Sequence, residues 1–269
     1  MISFSLKDSV NSFETFHFYK NGSVLKDAPI CALSLKKAGS MRFRWNETNP
    51  TRDNFFKSVL SSSQILTPVE LSHSKIVYDL QNSEQIFQKV GDGIITKNPA
   101  LVPSVTVADC VPIYLYDDVT KVFGIVHSGW KGTGIIKEAI MLANQKYGSA
   151  PSDFCVVIGP HIKDCCYVVN EERATYFAKE FTPECVKPIS KNQKIDWNNG
   201  EGKLFSLSLL KANLSVLEKI GVKDSNIAIC DDCTCCNQIF GSNRRETSQG
   251  NSFTVQAAFI YHKNWKWHN

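Results

Sequence analysis

Apolar residues along this chain fall into short runs that are rich in β-branched and aromatic side chains and are bounded by Gly, Pro, Asp or Asn. Runs of this kind predict β-strands. The runs at 111–117 and 121–128 are apolar over most of their length, which indicates buried strands. Strands are expected around residue 31 (ICALSLK) and at 74–80, 92–97, 104–110, 111–117, 121–128, 154–160 and 253–262.

Apolar residues recur at helical spacing most clearly in GTGIIKEAIMLANQKYG, where Gly148 provides a stop signal. Further helices are predicted near Pro50 (TRDNFFKSVLSS), over EERATYFAKEF, and over SLSLLKANLSVLEKIG with its end at Gly221. Strands and helices are interleaved without strict alternation. This order predicts an α+β (mixed α/β) fold in which helices flank a mixed β-sheet core. Since no repeat or linker interrupts the chain, we expect one domain over residues 1–269.

The composition is typical of a globular protein and not of a disordered or fibrous one, with 43% hydrophobic and 21% charged residues and a net charge of +4. Lysines and arginines are scattered, so the sequence predicts no nucleic-acid and no membrane partner. A small anionic substrate is compatible with this charge. The first twenty residues lack the apolar core of a signal peptide, and no run approaches the roughly 18–20 apolar residues of a membrane span. These features predict a cytoplasmic protein. Monomer and homodimer both stay open.

The ten cysteines do not form the pattern of a disulfide framework. Four are scattered, two form the pair Cys165–Cys166, and four lie in CDDCTCC at 230–236. Reduced thiols are the favoured interpretation for a long chain without an export signal. Because CxxC is a ligand spacing of structural zinc, a second zinc site made by the 230–236 cluster together with Cys165 and Cys166 is the less favoured alternative.

One cysteine and two histidines lie beside predicted strands and are candidates for chemistry. Cys110 and His127 are near the ends of the two strands at 104–110 and 121–128, and His73 precedes the strand at 74–80. One thiolate and two imidazoles can bind Zn²⁺ and leave a fourth position open, as catalytic zinc sites do. The spacing is not a compact metal signature, so a buried thiol and ordinary core or surface histidines remain the alternative. Pro112, which cannot donate to a ladder, predicts an edge or a break in its strand.

The string ADCVPIYLYD followed by VHSGWKGTG resembles the ADC-P and HAGWRG motifs of the YfiH/laccase-domain family, also called the multicopper polyphenol oxidase or purine nucleoside phosphorylase family. GDGIIT, IGPHIKDCCYVV and FGSNRR resemble further motifs of this family, in family order. The resemblance implies a YfiH-like mixed sheet flanked by helices. It also implies a zinc site made by His73 (in LSHS, where the family has QVHG), Cys110 and His127, which are then both catalytic and metal-ligating residues.

The resemblance further implies an enzyme of purine nucleosides. Family members phosphorolyse adenosine, inosine, guanosine and methylthioadenosine, and they deaminate adenosine. The implied partners are therefore purine nucleosides and phosphate, and the implied cofactor is Zn²⁺, with Cu²⁺ as the alternative. Two other functions stay open: a copper-dependent polyphenol oxidase, and a cysteine hydrolase with Cys110 as nucleophile, acting on cell-wall precursors.

Phosphate binding has four weaker candidates. Lys131 lies in HSGWKGTG, before a helix whose N-terminal amides would attract an anion, although the glycines there are equally explained by a tight turn. Arg244 and Arg245 match the RR of the family, and Arg52 corresponds to an arginine near its start. Arginines in loops are otherwise usually solvated surface residues.

Overall fold

A computed structural model describes residues 1–190 and 203–263. Its strands in chain order are β1 (Ile2–Phe4), β2 (Phe13–Phe16), β3 (Tyr19–Lys20), β4 (Ser23–Val24), β5 (Ile30–Ser34), β6 (Ile65–Pro68), β7 (Val77–Leu80), β8 (Gly93–Thr96), β9 (Leu101–Val107), β10 (Val111–Asp117), β11 (Phe123–Ser128), β12 (Phe154–Ile158), β13 (Val168–Asn170), β14 (Val186–Pro188), β15 (Leu204–Leu207), β16 (Ile227–Cys230) and β17 (Gln256–Tyr261). The α-helices are α1 (Pro50–Val59), α2 (Ile135–Tyr147), α3 (Glu171–Glu180), α4 (Leu209–Ile220) and α5 (Asn243–Ser248).

Two mixed sheets form the centre of the fold. One has seven strands in the order β1, β16, β12, β10, β11, β8, β7, and the other has five in the order β2, β5, β17, β9, β6. The predicted class, a mixed sheet core flanked by helices, is confirmed. The chain crosses from the five-stranded to the seven-stranded sheet at the connections β6 to β7 and β9 to β10. Both crossings carry residues of the site described below.

The inner strands β10, β11 and β12 of the seven-stranded sheet are buried along their whole length. Along β10, Ile113 and Leu115 face a core that includes residues of α2, α3 and α4, whereas Tyr114 and Tyr116 face a second core shared with the other sheet. A third core packs α1 against the five-stranded sheet. Because both faces of β10 are covered, its sequence VPIYLYD has no polar alternation, which explains why it is so easily recognised as a strand.

Pro112 lies in β10, which is an interior strand, so the predicted edge is wrong. Pro112 is opposite His127 on β11, and the His127 amide donates away from β10, to the carbonyl of Asp92. On its other side, the pairing of β10 with β12 begins only at Ile113. The Gly159 amide still donates to the Pro112 carbonyl, and the Gly159 carbonyl, to which a proline cannot donate, lies 2.8 Å from Nδ1 of His161 instead.

The four predicted helices are present, and their ends follow from local side-chain chemistry. Asn49 accepts the Arg52 amide at the start of α1, where Pro50 is the first helical residue. Ser208 caps α4 in the same way, and Gly221 ends it with φ 90°. Within the described residues, no helix is long and apolar enough to cross a bilayer.

Candidate metal centre and substrate cleft

His73, Cys110 and His127 come together at one point of the fold. His73 lies on the β6–β7 connection, Cys110 on the β9–β10 connection and His127 in β11. One possible ligand atom from each residue lies within 4.8 Å of those of the other two. The two imidazole rings are perpendicular, with centroids 5.0 Å apart. The structure therefore brings together the three residues that the sequence suggests as ligands.

Asp92, which directly precedes β8, holds two members of this cluster. Its carboxylate lies 2.9 Å from Nδ1 of His127 and accepts the backbone amide of His73 at 2.9 Å. It also accepts the amide and the hydroxyl of Ser74, each at 2.6 Å. Burial opposes the ionisation of Asp92, but the hydrogen bonds from His127 and Ser74 outweigh burial and lower its pKa to about 2. An ionised Asp92 requires a proton on Nδ1 of His127, which leaves Nε2 as the ligand atom.

The side chains of Cys110 and His127 favour an ion pair. Burial raises the pKa of Cys110, but the charges and hydrogen bonds of His127 and His73 outweigh this effect and lower the pKa to about 7. Burial lowers the pKa of His127, whereas the Cys110 thiolate and the Asp92 carboxylate raise it to about 9. The thiolate is the form of cysteine that binds metals and attacks electrophiles, so both chemistries are open to Cys110.

Gly129 leaves space beside the cluster. A Cβ added at Gly129 would lie 3.1 Å from Sγ of Cys110, 3.3 Å from Cδ2 of His73 and 3.5 Å from Cε1 of His127. A thiolate, a histidine oriented by a carboxylate and a second, exposed histidine make a donor set that suits zinc or copper. The residues present therefore fit a metal ion with an open side toward solvent.

The backbone is strained at two of the positions that build the site. His73 has φ 58° and Asp109, which precedes Cys110, has φ 81°. Non-glycine residues in this region persist only where the surroundings hold them, and such positions concentrate at functional sites. The carboxylate of Asp109 accepts the hydroxyls of Thr234 and Ser242 at 2.6 and 3.0 Å and the amide of Arg244 at 2.6 Å. These bonds fix the turn that carries Cys110.

The cluster forms part of the lining of a cleft of about 440 Å³. This volume is within the usual range for small-molecule sites. The lining combines apolar and aromatic side chains with guanidinium groups, a composition that suits a flat heterocycle joined to an anion. The principal contributors are Phe43, Leu71, Trp130, Ile162, Tyr167, Phe253, Arg42, Arg44, Arg173 and Arg244.

Arg173 and Arg244 lie against the aromatic part of the cleft. Cζ of Arg173 lies 4.1 Å from the centroid of the Trp130 ring, and Cζ of Arg244 lies 5.3 Å from that of Tyr167. Arg244 donates to the carbonyls of Cys166 and Val168. Among the described residues, neither guanidinium is paired with a carboxylate. Their positive charge is therefore available to an anion in the cleft.

The phosphate-binding candidates suggested by the sequence divide into two groups. Arg244 lines the cleft, but Lys131, Arg52 and Arg245 do not. Nζ of Lys131 lies over the Trp130 ring, and Arg52 pairs with Asp53 and lies over Phe43. Arg245 is buried and donates to backbone carbonyls of the 234–240 segment. The start of α2 also lies outside the lining.

Sequence reasoning did not identify Asp92, Tyr167, Arg44 or Arg173 as members of the site. Asp92 had a usable signal, because it is a carboxylate immediately before a buried strand, in a motif shared with the family. Arg173 had none, since it lies in an amphipathic helix where arginine is normally a surface residue. Its role in the lining depends entirely on how α3 packs.

Comparison with known proteins gives consistent results. The model of a family described as multi-copper polyphenol oxidoreductase laccase matches residues 48–261. A purine nucleoside phosphorylase of Clostridium acetobutylicum is 34% identical over 194 residues, which are 68% of this chain and 72% of that protein. The adenosine deaminase RL5, from an unknown prokaryotic organism, is 29% identical over 179 residues, 65% of each chain. The crystal structure of the hypothetical protein YfiH of Bacillus licheniformis has the same fold, with a TM-score of 0.75 and 23% identity over 87% of this chain and 93% of that one.

Proposed function

The chain belongs to the multi-copper polyphenol oxidoreductase laccase family, and from this premise we propose that it is a metal-dependent enzyme that cleaves purine nucleosides with phosphate. The proposed substrates are adenosine, inosine, guanosine and methylthioadenosine, and the products are the free base and the sugar 1-phosphate. Deamination of adenosine is proposed as a second activity. The names of the relatives from Clostridium acetobutylicum and of RL5 support these two reactions.

One observation carries the proposal: the cleft combines the His73–Cys110–His127 cluster with aromatic side chains and with two guanidiniums, of Arg173 and Arg244, that no carboxylate of the described residues pairs with. In phosphorolysis, a phosphate oxygen bonds to C1′ of the ribose as the bond from C1′ to N9 of the purine breaks. The electron pair of that bond leaves with the purine, which takes up a proton. Arg173 and Arg244 are placed to hold the phosphate, because a bound anion would neutralise charges that no carboxylate of the described residues pairs with.

The aromatic and apolar side chains would hold the purine. Trp130 and Tyr167 offer ring faces to a flat heterocycle, and each is already accompanied by a guanidinium. This arrangement would place base and phosphate side by side, and such positioning of two reactants supplies a large part of the rate acceleration in group transfer. Asn243 and Thr106 are polar members of the lining that can hydrogen-bond to the nucleoside.

His73, Cys110 and His127 are the proposed metal ligands and catalytic residues, and zinc is the proposed ion. Bound there, zinc would supply Lewis acidity toward the nucleoside and would lower the pKa of water for deamination at C6. Asp92 would act as a positioning residue, since it fixes the tautomer of His127 and the backbone of His73.

A second candidate function, a cysteine hydrolase, rests on the spatial arrangement of Cys110, His127 and Asp92. A thiolate beside an imidazolium that is oriented by a carboxylate is the arrangement of a cysteine hydrolase. The two candidates differ in the state of Cys110 in the isolated protein. A hydrolase has a free thiolate that iodoacetamide alkylates whether or not zinc is added, whereas a metal ligand is protected by the ion.

The test combines metal analysis with product analysis. We expect about one metal ion at this cluster, and release of adenine or hypoxanthine that requires phosphate and forms one sugar 1-phosphate per base. Both should be lost in Cys110→Ala and retained in Cys155→Ala, which removes a buried thiol that does not line the cleft. Metal-loaded protein that leaves all four nucleosides intact would contradict the proposal. Copper in the isolated protein, together with oxidation of phenols, would support the polyphenol oxidase alternative instead.

A further inference from the structure

Four cysteines converge at a second place in the fold. Cys165 and Cys166 lie just before β13, and Cys233 and Cys236 lie in the turn after β16. All four Sγ atoms lie within 4.8 Å of one another. The distances are 3.8 Å between Cys165 and Cys166, 3.7 Å between Cys165 and Cys236, and 3.3 Å between Cys166 and Cys236.

These distances match the edges of a metal–thiolate tetrahedron. Zinc binds thiolates at about 2.3 Å, so two ligands of a tetrahedral site lie about 3.8 Å apart. A disulfide would require about 2.05 Å, and two independent pairs would not bring all four sulfurs to one point. We propose that Cys165, Cys166, Cys233 and Cys236 form a structural zinc site in which four thiolates close the coordination sphere. This site is separate from the His73–Cys110–His127 cluster, and its metal binding does not depend on the proposed activity.

The local backbone is that of a thiolate-binding turn. Cys233 and Cys236 have CxxC spacing, which is a typical ligand spacing of structural zinc. The amide of Lys163 donates to Sγ of Cys233 at 3.4 Å, and the amide of Cys236 faces the same sulfur. Amides directed at a ligand sulfur stabilise its negative charge and orient it. Nζ of Lys163 donates to the carbonyl of Cys230 at 2.7 Å, which ties this loop to the end of β16.

The ion would join the loop before Tyr167, which lines the cleft, to the loop after β16, which does not line it but supports the turn of Cys110. Cys166 precedes Tyr167, and its carbonyl accepts from Arg244 at 3.3 Å. On the other loop, Thr234 follows Cys233 and donates to Asp109, the residue before Cys110. The zinc site therefore has a positioning role: it holds Tyr167 and Arg244 on one side and the turn of Cys110 on the other. Its loss should raise the KM for phosphate more than it lowers kcat.

The decisive experiment counts ions in protein purified under reducing conditions with zinc present. Native mass spectrometry should find two zinc ions per wild-type chain, and one in either Cys110→Ser or the double variant Cys165→Ser/Cys236→Ser. The matched control is Cys235→Ser, which removes a buried thiol from the same turn but outside the group of four. This control should keep two ions.

Cobalt provides a second readout that does not depend on whether the double variant folds. In Cys110→Ser, one bound Co²⁺ should give the intense thiolate-to-cobalt charge-transfer bands of a four-thiolate tetrahedral site. A folded Cys110→Ser protein without these bands would overturn the proposal. A disulfide between any two of the four cysteines that persists after treatment with a reductant would also overturn it, as would iron bound in place of zinc. Failure of the nucleoside assay leaves these counts unchanged, so the two proposals are tested separately.

Discussion

The carboxylate of Asp92 lies 2.9 Å from Nδ1 of His127 and at the same time accepts the backbone amide of His73. A single buried group thus fixes the ring of one proposed ligand and the main chain of another. Hydrogen bonds of this kind typically change metal affinity or activity 10–100-fold when they are removed. The relationship leads directly to the first prediction.

Asp92→Asn should weaken zinc binding about 10–100-fold and lower kcat to a similar extent, because the neutral amide no longer fixes the Nδ1–H tautomer of His127. Zinc affinity would be measured by competition with a chromogenic chelator. The matched control is Asp79→Asn, which removes a carboxylate that accepts from Tyr147 and does not line the cleft. Equal zinc affinity in Asp92→Asn and wild type would contradict the proposed role of Asp92 in positioning the metal ligands.

Gly129→Ala should lower metal occupancy at the first site. Its methyl group would lie 3.1 Å from Sγ of Cys110 and 3.3 Å from the His73 ring, which is closer than about nine in ten real contacts of a Cβ, so a ligand must shift by a few tenths of an ångström. Gly250→Ala is the comparison, because a Cβ there meets nothing within 4 Å and the variant carries only the strain of φ 76°. Full occupancy with unchanged turnover in Gly129→Ala would argue against the proposed geometry.

Arg173→Ala should raise the KM for phosphate at least about tenfold, which corresponds to about 1.4 kcal/mol of lost binding. The expected cause is loss of a guanidinium that no carboxylate of the described residues neutralises, beside Trp130. Lys131→Ala removes the same charge from a residue that also lies over Trp130 but does not line the cleft. The KM of this variant for phosphate should stay within about twofold of wild type. Steady-state rates at varied phosphate and fixed nucleoside would measure both. The reverse order of effects would favour the helix-start site at Lys131.

The pH dependence of Cys110 alkylation should reflect its lowered pKa of about 7. In metal-free protein, the rate should be high above pH 7 and should fall as pH drops through 7, because the thiolate becomes protonated. Zinc affinity should fall over the same interval, since protons compete with the ion for the ligand. His127→Gln removes the neighbouring positive charge and should move the alkylation midpoint upward. A midpoint near that of an ordinary thiol in wild type would contradict the ion pair.

Much of this fold could be predicted from local sequence. The strand β10 and the helix α2 are long and have consistent apolar patterns, so neither needs tertiary information. The short strands were missed for a physical reason: β1 has three residues, and it is a strand only because it pairs in parallel with β16, more than two hundred positions away. The helix α5 was missed because its six residues, NRRETS, form no apolar stripe and depend on the Ser242 cap.

The candidate site was predictable only in part. Cys110 and His127 have reactive side chains at strand ends, and family motifs surround both. The grouping of Cys165 and Cys166 with the CDDCTCC cluster is only the less favoured interpretation of the sequence, because CxxC supplies two ligands and the partner pair lies about seventy positions earlier. On sequence alone, reduced thiols were the favoured interpretation of these cysteines. The structure favours a zinc site instead, because the loop of Cys165 and Cys166 packs against the loop of Cys233 and Cys236.

The two connections that run from the five-stranded to the seven-stranded sheet carry His73 and Cys110, whereas His127 belongs to a strand of the seven-stranded sheet alone. Because two of the ligands come from these connections, the distances among the three donor atoms depend on the relative position of the two sheets. Any sliding of one sheet over the other would change the distances among the three donors before it broke a single strand. Metal affinity should therefore respond to a partner or a mutation that shears the sheets, even one that lies far from the cleft.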